Sequence, residues 1–162
     1  ANASLTTVGT CGKMVFEPGA ASVIPGRAEM TFQFRDADSV RLGNLEAVLD
    51  AAVAGANGAG PCRIDSTLLG SADPSAMSSE FQDALERSAE RFAPGAHTRM
   101  PSGAGHDAQV FARRLPAGML FVPSIGGISH HPDEDTAEAD IVLGCQVFAD
   151  AVVSLSEMPV PS

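Results

Sequence analysis

The spacing of the apolar residues changes partway along this chain, and that change constrains its fold more than any other feature. In residues 27–36, Met30, Phe32 and Phe34 alternate with polar residues. A period of two is the pattern of a strand with one buried face. The segment is therefore predicted to be a strand, with Arg35 on its polar face.

The rest of the first 71 residues is predicted to complete a small antiparallel sheet with one covering helix. Residues 7–18 and 63–69 are predicted to be strands beside the first. Residues 40–53 carry apolar side chains at helical spacing, which predicts a helix packed on the sheet. The predicted limits of that helix are Asp38 or Ser39 as N-cap, and Gly55 and Gly58 as terminators. Residues 1–71 are predicted to form one domain.

Residues 72–162 follow a helical period that is interrupted by one short apolar run. Pro74 is placed for the first turn of a helix with an apolar stripe of Met77, Phe81, Leu85, Ala89 and Phe92. A short helix is predicted over 105–114, and the run GMLFVP at 118–123 predicts a buried parallel strand. A last helix is predicted to start at an Asp135–Glu138 capping pair and to bury Ile141, Cys145, Phe148, Val152 and Leu155. This order predicts the closing segment of an α/β domain whose other strands lie elsewhere.

Composition and charge exclude some classes of partner. Ten basic residues against 20 acidic ones give a net charge of −10, which leaves no basic stripe for a phosphate backbone, so no nucleic acid partner is expected. No apolar run approaches the roughly 20 residues that span a bilayer, so no membrane partner is expected either. The three cysteines are odd in number and form no CxxC pair, which predicts a cytoplasmic protein without a disulfide framework.

Two segments could carry chemistry. In PSGAGHDAQVF, residues 101–111, small residues precede His106 at a predicted helix start, and their backbone could approach an anionic or carbonyl oxygen. The alternative is a helix start capped by a serine, with His106 bonded only to Asp107 or to a carbonyl.

The second segment, FVPSIGGISHHPDED at 121–135, leaves the predicted strand as a glycine-bearing loop, where open α/β sheets bind their ligands. A neutral imidazole there suits zinc, manganese or nickel. Catalytic zinc normally takes three protein ligands, so a single ligand or a solvated loop is favoured over a complete metal site. The acids at 133–135 also suit a helix start. No nucleophile elbow, P-loop or dinucleotide motif is present.

The stretches TVGTCGKMVFEPGAASVIPGRAEMTFQFRD and SGAGHDAQVFARRLPAGMLFVPSIGGISHHPDED resemble the second half of the metal-dependent hydantoinase/carbamoylase family of amidohydrolases. That family includes N-carbamoyl-amino-acid hydrolases, allantoate amidohydrolases and β-ureidopropionases. The resemblance implies a catalytic α/β domain with two divalent ions, zinc, manganese, nickel or cobalt, and a lid domain that mediates homodimerisation. Residues 1–71 would be part of the lid, and residues 72–162 the end of the catalytic domain.

The resemblance also implies roles for individual residues. His130 would be a metal ligand. Gly105 and His106 would line the substrate pocket, with His106 steadying the polarised carbonyl, and Arg35 would grip a substrate carboxylate. Ser22 stands where the family has a substrate-holding asparagine, and His131 replaces a small residue beside the ligand. We interpret His131 as an exposed or supporting neighbour.

The family's remaining metal ligands and its glutamate base lie upstream of the segments matched here. We therefore expect this polypeptide to be the C-terminal portion or small subunit of an amidohydrolase that cleaves a carbamoyl, ureido or related linear amide bond, active only with an N-terminal metal-binding half. One alternative is a non-catalytic binding or dimerisation module that keeps the lid fold. Another is an amidohydrolase or peptidase whose substrate lacks the usual carboxylate.

Overall fold

The structure is a computed structural model that describes residues 7–157. Its elements are β1 (Val8–Glu17), β2 (Arg27–Arg35), α1 (Ser39–Ala59), α2 (Ser79–Phe92), α3 (Asp107–Phe111), a 3-10 turn (Ile125–Gly127) and α4 (Glu138–Ser156). They form two compact units, one of residues up to Pro74 with Pro101–Ala104, the other of Ser75–Met100 with residues from Gly105 onward. The assignment of lid and catalytic domains to residues 1–71 and 72–162 stays a prediction.

The first unit contains an antiparallel hairpin of β1 and β2. Its register runs from Val8 opposite Arg35 to Glu17 opposite Arg27, with one irregularity between Cys11 and Lys13. The two predicted strands are confirmed. They form because alternating apolar residues share one face, where the rings of Phe32 and Phe34 meet edge to face, with centroids 4.8 Å apart.

Helix α1 follows β2 and begins at Asp38, whose carboxylate accepts hydrogen bonds from the backbone N–H groups of Val40 and Arg41 at 2.9 and 3.3 Å. Of the two candidate N-caps, Asp38 is therefore the one used. The prediction that Gly55 and Gly58 end the helix is wrong, because α1 continues to Ala59 and its C-cap is Gly60. A glycine inside a helix costs only about 1 kcal/mol, which the rest of a long helix can offset.

The strand predicted at 63–69 is wrong for the part of the chain that the structure describes. The side-chain amide of Asn57 takes the place of a partner strand there. Its oxygen accepts the N–H of Ile64 at 2.6 Å, and its nitrogen donates to the Ile64 carbonyl at 2.9 Å. Both backbone groups that a sheet ladder would need at Ile64 are therefore already bound.

The second unit is built on the pair of helices α2 and α4. Their contact is made of small side chains, since the buried residues are Ala84, Ser88, Ala89, Val147 and Ala151. Within it, the Ser88 hydroxyl donates to Asp150 at 2.7 Å, and Arg91 donates to the other oxygen of that carboxylate at 2.6 Å. Small residues let the helices approach closely, and the two hydrogen bonds from Ser88 and Arg91, here called the Asp150 clasp, provide partners for both oxygens of the carboxylate.

The predicted starts of both helices are wrong. Helix α2 begins after Ser78, whose hydroxyl accepts the N–H of Phe81 at 3.4 Å, so Pro74 lies before the helix and not in its first turn. Helix α4 begins after Ala137, with no side-chain cap. The Asp135 carboxylate is bound instead by the N–H of Thr136 at 2.8 Å, within the preceding loop.

The predicted buried face of α4 is also wrong. Val147 and Ala151 are buried, whereas Ile141, Cys145, Phe148 and Val152 are exposed. The helix is apolar almost all round, so periodicity does not identify the face that meets α2. By length and mean hydropathy, 19 residues and 1.5, α4 could also cross a membrane, contrary to the expectation that no run is long enough. A core helix of a soluble protein meets the same two criteria.

The run at 118–123 is not a strand in this structure, because no neighbouring strand among residues 7–157 pairs with it. It packs on the two helices instead. A β-carbon added to Gly118 would lie 3.0 Å from Cβ of Phe81, and one added to Gly144 would lie 2.5 Å from Cγ1 of Val122. Both glycines therefore permit a close approach between the 118–123 run and α2 or α4.

Candidate functional site

The loop that carries His130 is closed and held in a restricted conformation. The N–H of Ile125 donates to the Asp135 carbonyl at 2.8 Å, which joins the two ends of the loop. Gly126, Gly127 and His130 all have a positive φ, of 67°, 70° and 57°. A positive φ is uncommon for a residue with a side chain and often accompanies a functional constraint.

A carboxylate from the same loop stabilises this conformation at His130. The backbone N–H of His130 donates to Oε2 of Glu134 at 2.7 Å. Its imidazole is exposed, and within residues 7–157 no hydrogen bond to the ring is seen. The loop thus fixes the backbone of His130 and leaves both ring nitrogens for a ligand.

The neighbouring residue His131 is engaged within the loop. Its Nδ1 accepts the backbone N–H of Asp133 at 3.2 Å and lies 3.5 Å from the carboxylate of Asp133. Of the acids at 133–135, Glu134 binds the backbone at His130 and Asp135 binds the backbone at Thr136. These contacts are local supports for the loop.

Within the described range, no group of three or more His, Cys, Asp or Glu side chains could hold a metal ion. His130 fits a metal as one ligand, since it is an exposed imidazole on a fixed backbone. A complete site needs further ligands. The predicted role of His130 in metal binding stays a prediction.

His106 lies at the start of α3, as the capping interpretation and the ligand interpretation both require. It is the N-cap residue but makes no side-chain cap hydrogen bond, and α3 is shorter than the helix predicted at 105–114. Its half-buried ring contacts Phe121, with centroids 5.4 Å apart and planes inclined at 57°. The structure thus brings His106 against Phe121, the first residue of the segment that carries His130. A β-carbon on Gly105 would meet nothing within 4 Å, so there is open space at that residue.

Arg35 ends β2, and two hydrogen bonds hold its exposed guanidinium group. Nε donates to the side-chain oxygen of Gln33 at 2.8 Å, and Nη1 donates to the carbonyl oxygen of Gly103 at 3.2 Å. The alternating pattern of β2 predicted Arg35 on the polar strand face, but the two partners were not among the predicted contacts. Alternation alone could have indicated Gln33, because residues i and i−2 share a face of a strand.

Ser22 lies far from Arg35, in the loop between β1 and β2. That loop is closed by the N–H of Gly26 on the Glu17 carbonyl at 2.9 Å and contains a turn between Ala20 and Val23. Ser22 and Arg35 are thus at opposite ends of the hairpin, separated by the length of β2, about 25 Å at 3.3 Å per residue. These two of the four predicted substrate-binding residues are not brought together within one copy of the chain.

Comparison with known proteins places this geometry in a family. Residues 6–154 match the profile of peptidase family M20/M25/M40. The chain is 35% identical to the allantoate amidohydrolase of Bacillus subtilis over 91% of its own length and 35% of that protein. It is 30% identical to the N-carbamoyl-L-amino-acid amidohydrolase of Rhizobium meliloti over 93% of its length and 36% of that protein.

Solved structures give the same result. A hydantoinase/carbamoylase family amidase from Burkholderia phymatum superposes with a TM-score of 0.87 at 44% identity, covering 95% of this chain and 37% of that one. The homologous amidase from Burkholderia multivorans gives 0.92 at 33% identity, with coverage of 98% and 38%. The chain thus spans about a third of the relatives that it matches, and its mixed helix and strand fold confirms the predicted α/β class. The chain belongs to peptidase family M20/M25/M40, and its predicted resemblance to the hydantoinase/carbamoylase amidohydrolases is confirmed.

Proposed function

We propose that this chain is the C-terminal portion of a metal-dependent amidohydrolase that cleaves the C–N bond of a carbamoyl or ureido compound. The observation that carries the proposal is the loop at 125–135, which holds His130 at a positive φ with its imidazole exposed. Relatives named for hydrolysis of allantoate and of N-carbamoyl-L-amino acids support the substrate class.

In this proposal, His130 is one ligand of a site for two divalent ions, which are zinc, manganese, nickel or cobalt. When bound, such ions would provide activation of a water molecule and polarisation of the scissile carbonyl. The other ligands and the general base come from an N-terminal metal-binding half. Glu134 supports the ligand by binding the backbone N–H of His130 at 2.7 Å.

His106, the catalytic residue proposed here, steadies the carbonyl oxygen as negative charge develops on it. Its half-buried ring lies against Phe121 at the start of α3, and an imidazole N–H is a suitable hydrogen-bond donor to such an oxygen. Gly105 precedes it without a side chain, so a substrate could lie close to the backbone there.

Arg35 binds the substrate carboxylate, which suits the forked geometry of a guanidinium group. Ser22 lies about 25 Å away along the hairpin, so both residues cannot contact one small substrate in the same copy. In a homodimer both residues could still bind substrate, because Ser22 and Arg35 of one copy would belong to two different substrate pockets. The proposed partners are therefore a second copy, the N-terminal half and a small ureido or amide substrate. We propose a soluble, cytoplasmic protein that binds neither nucleic acid nor membrane.

A pair of adjacent substitutions tests the ligand role of His130 in the protein that contains both halves. We expect His130→Ala to lower the metal content from two ions per site to one or none. Hydrolysis of an N-carbamoyl amino acid should fall by more than the 10- to 100-fold that is typical when only a supporting partner of a ligand is lost. His131→Ala is the matched control and should keep both properties. Metal content is measured by inductively coupled plasma mass spectrometry.

Full metal content and activity in His130→Ala would refute the proposal. An unchanged association of subunits together with no measurable hydrolysis in the unmodified protein would favour the non-catalytic module instead. If neutral ureas are hydrolysed as well as ureido acids, and Arg35→Ala changes neither rate, the substrate lacks the carboxylate that we propose.

A further inference from the structure

The guanidinium group of Arg35 is oriented by a neighbour on its own strand. Gln33 and Arg35 are both exposed on the polar face of β2, and Nε of Arg35 donates to the Gln33 side-chain oxygen at 2.8 Å. No burial forces this contact. Two long polar side chains on a solvated surface give up rotamer freedom to form it, so the contact itself fixes where the guanidinium lies.

A second acceptor fixes the plane of the group. Nη1 donates to the Gly103 carbonyl at 3.2 Å, and the segment Pro101–Ala104 groups with the hairpin in one compact unit. A guanidinium has five N–H donors. With one donor bound at Nε and one at Nη1, three remain for a ligand, two of them on Nη2.

This arrangement restricts how a carboxylate can bind. A carboxylate can meet a guanidinium side-on, through Nε and Nη2, or end-on, through Nη1 and Nη2. Because Gln33 occupies Nε, the side-on fork is closed, and the donors that remain for an end-on approach are one N–H of Nη1 and both of Nη2. The Gln33 side chain accepts the Nε hydrogen bond as a neutral amide. It therefore leaves the positive charge of Arg35 available to a substrate.

We propose that Gln33 is a positioning residue, which holds Arg35 so that its end-on fork receives the carboxylate of the substrate. The inference rests on the proposed function, in which Arg35 binds that carboxylate. Gln33 itself touches no substrate. Its effect therefore appears only with substrates that carry the carboxylate and only while Arg35 is present.

The test is steady-state kinetics of Gln33→Leu in the protein that contains both halves. The substrates are an N-carbamoyl amino acid and its neutral carboxamide. We expect KM for the acid to rise about fivefold, the equivalent of one exposed hydrogen bond of about 1 kcal/mol, with kcat little changed. KM for the carboxamide should stay the same. Thr31→Val, on the same strand face and two residues further from Arg35, is the control and should change neither.

A double-mutant cycle separates positioning from a general structural role. In an Arg35→Ala background, adding Gln33→Leu should have no further effect on KM for the acid. An equal rise in KM for acid and carboxamide, or additive effects in the cycle, would overturn the proposal. If Arg35→Ala raises KM for the acid and Gln33→Leu does not, the inference on Gln33 fails alone. If Arg35→Ala has no effect on the acid, the proposed binding role of Arg35 fails with it.

Discussion

Gly144 of α4 is predicted to set the position of the run that leads into the His130 loop. A β-carbon at this residue would lie 2.5 Å from Cγ1 of Val122, about 1 Å or more inside an ordinary carbon–carbon contact of about 3.5–4 Å. Val122 is short and branched, so it cannot bend away as a long side chain could. Gly144→Ala must therefore displace either Val122 or its backbone.

The size of the effect follows from two opposing contributions. Overpacking of this kind costs about 1–3 kcal/mol. Replacing a helical glycine by alanine stabilises the helix by about 1 kcal/mol. We expect Gly144→Ala to destabilise α4 by about 1 kcal/mol. Gly55→Ala in α1, where an added β-carbon meets nothing within 4 Å, should instead stabilise its own helix by about 1 kcal/mol.

Native-state hydrogen exchange followed by mass spectrometry measures this, because it reports the free energy of opening for each helix separately. Adding Val122→Ala to Gly144→Ala should recover part of the loss if the clash lies at Cγ1. Val122 precedes His130 by eight residues, so a displaced run should also weaken metal binding in the intact protein. If Gly144→Ala stabilises α4 as Gly55→Ala stabilises α1, the close approach of Val122 to the helix is refuted.

Four further predictions test contacts that stabilise the helices and the His130 loop. Asp38→Ala should lower the free energy of opening of α1 by about 1 kcal/mol, because the helix loses its N-cap, whereas the control Ser39→Ala should leave it nearly unchanged. Hydrogen exchange of α1 measures this, and equal protection in the two variants would contradict the capping role. Ser88→Ala should destabilise the α2–α4 pair by about 1 kcal/mol, measured in the same way, and equal protection in both proteins would contradict the Asp150 clasp. Glu134→Ala should weaken metal binding about 10-fold, with Asp133→Ala near wild type, by metal titration; equal affinities would remove Glu134 from the support of His130. Hydrogen bonds to Glu86 and Asp83 raise the pKa of Arg99, so the stability that its charge contributes is complete below its ordinary pKa and is lost only as the pH rises through the raised pKa. Arg99→Ala should therefore lower Tm by the same amount at pH 7 and pH 10, and a smaller decrease at pH 10 would contradict this.

The sequence predicted those elements whose pattern is set by a single buried face. Alternation at Met30, Phe32 and Phe34 identified β2, because only one face of the hairpin is apolar. The strand at 63–69 could not be excluded in the same way. Its pattern is compatible with a strand, and only the structure shows that the amide of Asn57, which lies outside the segment, binds the backbone at Ile64.

Parts of the candidate site were also predictable, and parts were not. The glycine-bearing loop after an apolar run indicated a histidine ligand, and the family resemblance chose His130 over His131. The structure places His130 at a positive φ in that loop, with its ring exposed. The contact of Glu134 with the His130 backbone needed coordinates, because three consecutive acids lie within reach in the loop and spacing does not choose among them. Strand alternation places Gln33 on the same face as Arg35, but the second partner of Arg35, the Gly103 carbonyl, also needed coordinates.

The two helices of the second unit differ in what their outer faces can contact. On α2, Asp83 and Glu86 form ion pairs with Arg99 at the surface, as is typical of a solvent-exposed helix face. On α4, Ile141, Phe148, Val152 and other large apolar residues are exposed. The same helix carries Asp150, whose carboxylate is bound by two side chains of the polar helix α2. A carboxylate tied to a charged partner helix is poorly placed in a lipid bilayer. The contacts of Asp150 with α2 therefore argue against α4 as a membrane-spanning helix, although its length and hydropathy would allow one.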